Sequence, residues 1–384
     1  MQPDCLHLVF NNVVHDSRVL KETGSIIEAG IVKKLAIVGL NDPGMPASEV
    51  VDGREVLRIN LRSRDWPKNL AVQALKYAEL YHRIVRAYRN APLRIIHCHD
   101  LAPLPVAVRL KELTGARIIY DSHELQTETK HSVGLRKRAN QLVERRYVRH
   151  VDAMITVSPS IRAWYAERYP DLPIHLVRNV PNRPQADASP VPLRAEHGVP
   201  DDALLFLYLG GLSAGRGIED TLAAFSDERV RHHVVFIGYG PLDIAVKEAT
   251  AACSRIHYRD AVPPSQVWAH ATGADAGLCL YEDTCLNHRY CLPNKLFESL
   301  LAGLPVLASN LVDQADLVRS YDGGWVVPNE STAIADTLAD LTVEEGLRKR
   351  VGLDQRTADL DWHNEAEAIL AIYRETLAQD GNEA

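Results

Sequence analysis

The segment LPNKLFESLLAGLPVLASN (292–310) carries the strongest chemical signal in the chain. Pro293 and Asn294 stand before an apolar-periodic run, Lys295 falls in its first turn, and Glu298 lies one turn on. Gly303 closes the run and Pro305 opens a β-branched one, which is the Pro-first, Gly-last order of a helix. A helix start offers free N–H groups and the positive end of the dipole, so it suits a phosphate, and Lys295 adds a full charge beside it. A carboxylate at Glu298 can accept from two adjacent hydroxyls, such as those of a ribose. The same two residues equally fit an ordinary i,i+3 surface pair worth only tenths of a kcal/mol. In LFLYLGGLSAGRGIEDTLAAF (205–225) a strand runs into Gly210 and Gly211, then Arg216 and Gly217 open a helix. Glycines let the backbone approach a ligand closely, and Arg216 can chelate a diphosphate with two parallel hydrogen bonds. Neither GxGxxG nor GxxxxGK[ST] is present, which argues against an NAD fingerprint and a P-loop. VVFIGYGPL (234–242) adds Gly238, Tyr239 and Gly240 at another strand end.

The first half carries a different chemistry. IIHCHDLAPLPVA (95–107) puts His99 and Asp100 at a strand end, and IIYDSHELQTE (118–128) puts Asp121, His123 and Glu124 at the next. Imidazole and carboxylate groups there can orient hydroxyls or take a proton. Asp16 and Arg18 open the first helix, where Asp16 or Ser17 also fits a plain N-cap. The run CLYEDTCLNHRYC spaces three cysteines around His288, but zinc sites favour CxxC pairs, so no metal site is expected.

Short apolar runs alternate with helical patterns to position these groups. Strands are expected at 6–10, 35–39, 94–98, 117–121, 153–157 and 174–178, with helices between most of them at 17–29, 67–87, 104–113 and 135–150. Continuous apolar runs with helical crossovers are the mark of buried parallel strands. The proline-rich PNRPQADASPVPL reads as a linker. The pattern then restarts with strands at 204–210, 233–238, 255–259, 275–281, 305–309 and 324–327, and ends in a helix at 364–377. The fold expected is α/β with two doubly wound, Rossmann-like domains enclosing a cleft: 1–183, 184–360, and a terminal segment 361–384.

Composition narrows the class. The 384 residues, 46% hydrophobic and 24% charged, suit two or three soluble domains of roughly 100–200 residues each. No apolar stretch reaches the roughly 18–20 residues that span a bilayer. The N-terminus, with Asp4 early, does not read as a secretory signal. A cytoplasmic protein with reduced cysteines is expected. Residues 1–185 carry a net charge of +9 and residues 186–384 a net of −16. The basic excess concentrates in Lys130, Arg136, Lys137, Arg138, Arg145, Arg146 and Arg149, a stretch that fits either a solvated helix face or contact with an anionic membrane. With the chain net acidic and no recognised binding motif, nucleic acid is not an expected partner.

Taken in order, DSRVLKETGSIIEAG, HCHD, YDSHEL, VSPSI, VRNVPN, YLGGLSAGRG, FIGYGP and PNKLFESLLAGLPVLAS resemble glycosyltransferase family 4, which has the GT-B fold. The resemblance covers nearly the whole chain, and the last helix, after Trp362, looks like the family's helix that crosses back onto the first domain. It implies a nucleotide-sugar donor bound mainly by the second domain and a glycan or lipid-linked acceptor on the first. It puts Arg216 on the diphosphate, Lys295 and the amides near Asn294–Leu296 on phosphate and sugar, and Glu298 on the ribose as the second glutamate of the Glu-x7-Glu motif. The glycine turns at Gly210, Gly211, Gly238 and Tyr239 belong to the same donor site, and the backbone around Arg259, Asp260 and Val262 lines the base. His123 matches a histidine near the transferred sugar, with Asp16, Arg18, His99, Asp100 and Glu124 on the acceptor side. Two positions depart from the family: Tyr290 stands where the motif's first glutamate is usual, and Gly211 where an arginine is. The resemblance implies retention of anomeric configuration and no metal or other cofactor; an inverting route would need Asp16, Asp100, His123 or Glu124 as base. UDP- or GDP-sugars and bacterial surface polysaccharide or glycolipid assembly are the implied setting, by analogy. A sugar-nucleotide epimerase of similar fold and a non-catalytic nucleotide-binding protein are the competing readings.

Overall fold

The computed structural model describes residues 2–67, 69–183 and 189–378. The chain packs as two units, Met1–Arg178 with Glu365–Ala384, and Asn179–Asn364. The expected division at 183/184 abuts residues 184–188 of the proline-rich segment, which lie outside the described residues. The packing boundary comes earlier. Asn179 already donates to Asn294 (2.9 Å), and Val180 is buried with Leu296 and Phe297.

The first unit is built on an eight-stranded sheet: β1 (Cys5–Leu8), β2 (Leu35–Leu40), β3 (Ser48–Val51), β4 (Arg54–Ile59), β5 (Ile95–His99), β6 (Arg117–Ser122), β7 (Ala153–Thr156) and β8 (Ile174–Leu176). Their order is β3-β4-β2-β1-β5-β6-β7-β8, parallel except for β3 on β4. β1, β2, β5 and β7 are buried almost throughout, which is why they read as unbroken apolar runs. The β3–β4 hairpin was not expected from the sequence. It turns on Asp52 and Gly53, both with positive φ (46° and 79°), as a two-residue hairpin turn requires. Its inward positions are Arg54, Val56 and Arg58, so its apolar pattern is broken by two arginines. Arg54 donates to Thr23 Oγ1 (2.7 Å), and Arg58 to the carbonyl of Asn12 (2.8 Å).

The Ser17–Glu28 helix is capped by Asp16, whose carboxylate accepts from Val19 N. Its inward face is Arg18, Val19, Glu22, Thr23 and Ile26, a helical stripe that carries two charged residues into the core. The Trp362–Ala378 helix starts just before the first unit resumes at Glu365, whose carboxylate takes Arg178 Nε at 2.8 Å.

The second unit has six parallel strands: β9 (Leu205–Leu209), β10 (His233–Ile237), β11 (Ile256–Arg259), β12 (Ala276–Cys279), β13 (Val306–Ser309) and β14 (Gly324–Val327). The order β11-β10-β9-β12-β13-β14 reverses direction between β9 and β12. Loops diverge at such a switch point, and they open a crevice at the carboxyl ends of the strands. The Asn294–Leu301 helix buries Leu296, Phe297, Leu300 and Leu301, and Gly303 follows it at φ 72°, the left-handed conformation that ends a helix. Among the described residues no helix is long and apolar enough to cross a membrane.

Candidate active site

Within the second unit, the carboxyl ends of β9 and β10 open into a pocket of about 370 Å³. Gly210, Gly211, Arg216, Gly238 and Tyr239 line it, with Ala261 and Val262 on one side. The two glycine turns touch: a Cβ on Gly238 would lie 1.9 Å from the carbonyl oxygen of Gly210, so only glycine permits this approach. Tyr239 is 74% exposed. Arg259 and Asp260 turn their side chains elsewhere. Arg259 pairs with Glu196 (2.8 Å), and Asp260 accepts from Tyr258 (2.9 Å), so the pocket wall here is the backbone and side chains of the next residues.

Lys295 enters the switch point from the helix after β12. Its Nζ is 3.7 Å from the ring centre of Tyr208 at the end of β9 and 5.2 Å from that of Tyr281. The guanidinium of Arg216 lies 6.0 Å from the same Tyr281 ring, so the two cations converge on one aromatic group. Lys295 is only 6% exposed, and its Nζ has no hydrogen-bond partner among the described residues. Burial, with Arg216 adding to it, pushes its ammonium down to about 7. Glu298, half-buried one turn on, partly offsets this. Asn294 is exposed and accepts from Asn179. Leu296 departs from expectation: its side chain is core, and its amide donates to the carbonyl of Pro293 (3.0 Å), so it has no free N–H to offer a phosphate. Tyr290 is half-buried just after the Leu286–Arg289 helical turn.

In the first unit the candidate groups cluster at the ends of β1, β5 and β6. Asp121 is fully buried and takes two hydrogen bonds from Arg18, Nε at 2.7 Å and Nη2 at 2.9 Å. Arg18 also reaches the carbonyl of Val177 (3.0 Å) and lies 2.9 Å from Glu22. It is 3% exposed, so it acts here as the buried partner of Asp121. Although burial favours the neutral ring, Asp100 and Asp121 raise His123 to about 9. His123 Nε2 lies 3.0 Å from Asp121 Oδ2, and its amide donates to Asp100 (3.1 Å). Asp100 adopts φ 64°, a left-handed conformation that asparagine and aspartate tolerate. His99 is 1% exposed, beneath His123 at 3.1 Å, and burial with His97 nearby lowers it to about 3. It therefore supports the site from below. Asp16 is occupied as the helix cap and by Asn11 (2.7 Å). Glu124 is half-buried and accepts from Gln126 (3.0 Å).

Comparison with known proteins decides the family. A glycosyl transferase 4-like domain model matches residues 30–183, and a glycosyl transferases group 1 model matches 203–343. The chain belongs to glycosyltransferase family 4. This glycosyltransferase is 24% identical to the phosphatidyl-myo-inositol mannosyltransferase of Mycobacterium leprae over 358 residues, 88% of each chain. Its structure is similar to sucrose-phosphate synthase from Thermosynechococcus elongatus (TM-score 0.79, 18% identity, 98% and 99% of the two chains). It is also similar to Anabaena HepE in complex with UDP-glucose (TM-score 0.71, 12% identity, 97% and 100%). The fold is GT-B.

Four buried members of the glycosyltransferase's first-unit cluster were not foreseen: His7, Glu22, His97 and Tyr373. The ligand atoms of His7, His97 and His99, and of Glu22, His97, His99 and Asp121, lie within 4.8 Å of one another, close enough to raise the question of a metal. The donor set does not fit one. Their nitrogens are already engaged with one another and with Tyr373: His7 Nδ1 meets His99 Nε2 at 3.0 Å, and the Tyr373 hydroxyl meets His97 Nδ1 at 2.8 Å and His7 Nε2 at 3.0 Å. Arg18 already fills Asp121 with a cation.

Proposed function

We propose that the chain transfers a sugar from a nucleoside-diphosphate sugar to a hydroxyl of a glycan or lipid-linked acceptor, with retention, in the assembly of a bacterial surface polysaccharide or glycolipid. The observation that carries this reading is Lys295: a buried ammonium with no acceptor, at the sheet's switch point, with Arg216 and a glycine-lined pocket beside it. A buried cation without a partner is costly, and a diphosphate is the ligand that satisfies it. Arg216 and Lys295 then stabilise the negative charge that develops on the leaving diphosphate, a role that a fixed positive pair fills without a metal. Glu298 takes the ribose hydroxyls. The base lies along Tyr239, Ala261 and Val262, and Asn294 meets the sugar. In the retaining route the departing phosphate itself helps to deprotonate the acceptor.

His123 and Asp100 receive the acceptor side. A doubly protonated His123 is a hydrogen-bond donor to a sugar oxygen, not a base. A UDP-sugar donor is favoured by the likeness to a protein solved with UDP-glucose, and a lipid acceptor by the relative named for phosphatidyl-myo-inositol. We further propose a cytoplasmic protein that meets an anionic membrane through the Gly134–Tyr147 helix. That helix exposes Leu135 (82%) and Leu142 (69%) among Arg136, Lys137, Arg138, Arg145 and Arg146. Liposome flotation should show binding that needs anionic lipid and weakens with salt.

The deciding experiment is slow hydrolysis of a panel of UDP-, GDP- and ADP-sugars by the purified protein, with Glu298→Ala as its companion. One donor class should be hydrolysed, and the variant should bind it more weakly. Hydrolysis of none, or unaltered affinity in the variant, removes the donor assignment.

A further inference from the structure

One face of the first sheet is lined with polar groups that the proposed transfer does not itself use. The parallel register pairs His7 with His97 and His99 with Asp121. His97 and His99 are two apart on β5, so all four point the same way. Each is at most 1% exposed. Tyr373, fully buried on the C-terminal helix of the same unit, covers them. Its hydroxyl is 2.8 Å from His97 Nδ1 and 3.0 Å from His7 Nε2. His7 Nδ1 is 3.0 Å from His99 Nε2, and His99 Nδ1 is 3.1 Å from His123 Nε2. Among the described residues His97 Nε2 has no hydrogen-bond partner, and it faces the Glu22 carboxyl at 3.7 Å and that of Asp121 at 3.9 Å.

The shortest of these contacts together favour one assignment of the ring protons. Asp121, doubly bonded to Arg18, can only accept, so His123 Nε2 carries a proton. His99 Nδ1 faces that same nitrogen at 3.1 Å and Asp121 Oδ2 at 3.5 Å; the closer contact is a hydrogen bond only when Nδ1 is bare, and a proton on Nδ1 towards Asp121 is the competing arrangement. Burial keeps His99, His7 and His97 neutral, each with one N–H. With Nδ1 bare, the His99 proton is on Nε2 and donates to His7 Nδ1. That of His7 is on Nε2 and donates to the Tyr373 oxygen. The single phenol proton of Tyr373 goes to His97 Nδ1, which leaves the His97 proton on Nε2 towards Glu22.

We propose that Tyr373, His7 and His99 form a one-way hydrogen-bond relay that keeps His99 an acceptor towards His123, and that Tyr373 is thereby a positioning residue for sugar transfer. The transfer part rests on the reading of His123 given above; the relay itself does not. The charged and titratable groups around it are Arg18, Glu22, Asp100, Asp121 and His97, with Cys5 3.9 Å from the Tyr373 hydroxyl.

The test is ring-nitrogen NMR on 15N-histidine-labelled full-length protein, wild type and Tyr373→Phe, with transfer assayed in parallel. In the wild type, His7 and His99 should each show a single Nε2–H tautomer and His123 two protonated nitrogens. A proton on His99 Nδ1 overturns the relay, whatever the activity and even if no variant folds. In Tyr373→Phe the His7 and His99 tautomers should become mixed. The pH profile of transfer should then move towards the usual imidazole range, with about a tenfold loss of kcat and donor KM unchanged. A variant that is merely less stable, with wild-type ring spectra and pH profile, removes Tyr373 from the positioning role. If no sugar transfer is found for the wild type, the ring spectra still decide the relay, so the two failures remain distinct.

Discussion

Lys295 Nζ rests 3.7 Å over the ring of Tyr208 and has no hydrogen-bond acceptor among the described residues. The face of the aromatic ring is a weak substitute for an anion. Lys295→Met keeps the length and the contact with the ring but removes the charge. The ligand-free variant should melt at the same temperature as the wild type or higher, while its affinity for UDP falls about tenfold or more. Thermal shift with and without UDP measures both. Undiminished UDP stabilisation in the variant would falsify the phosphate role of Lys295.

The same ammonium makes donor binding pH-linked. Burial holds Lys295 at about 7, against roughly 10.4 in an unfolded chain. Between those values the unfolded chain holds a proton that the folded one has shed, so this position contributes stability that rises with pH across that window. A bound diphosphate raises the folded value. Calorimetry of binding of a UDP-sugar, whose diphosphate carries no group titrating near pH 6, in buffers of different ionisation enthalpy should therefore show uptake of close to one proton at pH 8 and almost none at pH 6. Equal uptake at both would assign the linkage to another group.

Asp121 owes its charge to Arg18. Although burial works against it, the guanidinium holds the carboxyl well below the usual range. Arg18→Met leaves that buried carboxylate without its guanidinium, with His123 still beside it at 3.0 Å, and chemical denaturation should show a loss of up to about 3–5 kcal/mol. Arg18→Lys should recover only part of it, because an ammonium cannot make the two parallel bonds.

Gly238→Ala tests the closeness of the pocket turns. The added carbon meets the Gly210 carbonyl at 1.9 Å, so one turn must move. UDP binding by titration should weaken markedly, with a stability cost of about 1–3 kcal/mol. A variant with wild-type affinity would show that the pocket is not the donor's.

Much of this was written locally in the sequence. The buried parallel strands stood out as apolar runs, and Lys295 and Arg216 stood out because charges beside glycines interrupt them. The β3–β4 hairpin did not, because Arg54 and Arg58 occupy its inward positions and hide the alternation. The Asp52-Gly53 pair was the signal that could have found it. His97 was missed although a signal was there, since His-Cys-His on a strand puts both imidazoles on one face. Leu296 misled because its place in a helix's first turn says nothing of whether its amide is already bonded. Tyr373 was out of reach of any local pattern: its hydroxyl meets His7 across 366 positions of chain.

That last separation has a consequence for biosynthesis. The helix that finishes the first unit is translated after the whole of the second. While a nascent chain emerges, His7, His97 and Cys5 wait without the phenol that joins them, and the imidazole-lined sheet face waits without its cover. The first lobe to leave the ribosome is thus the last to mature, and a chaperone that shields its open face must hold on until that helix emerges.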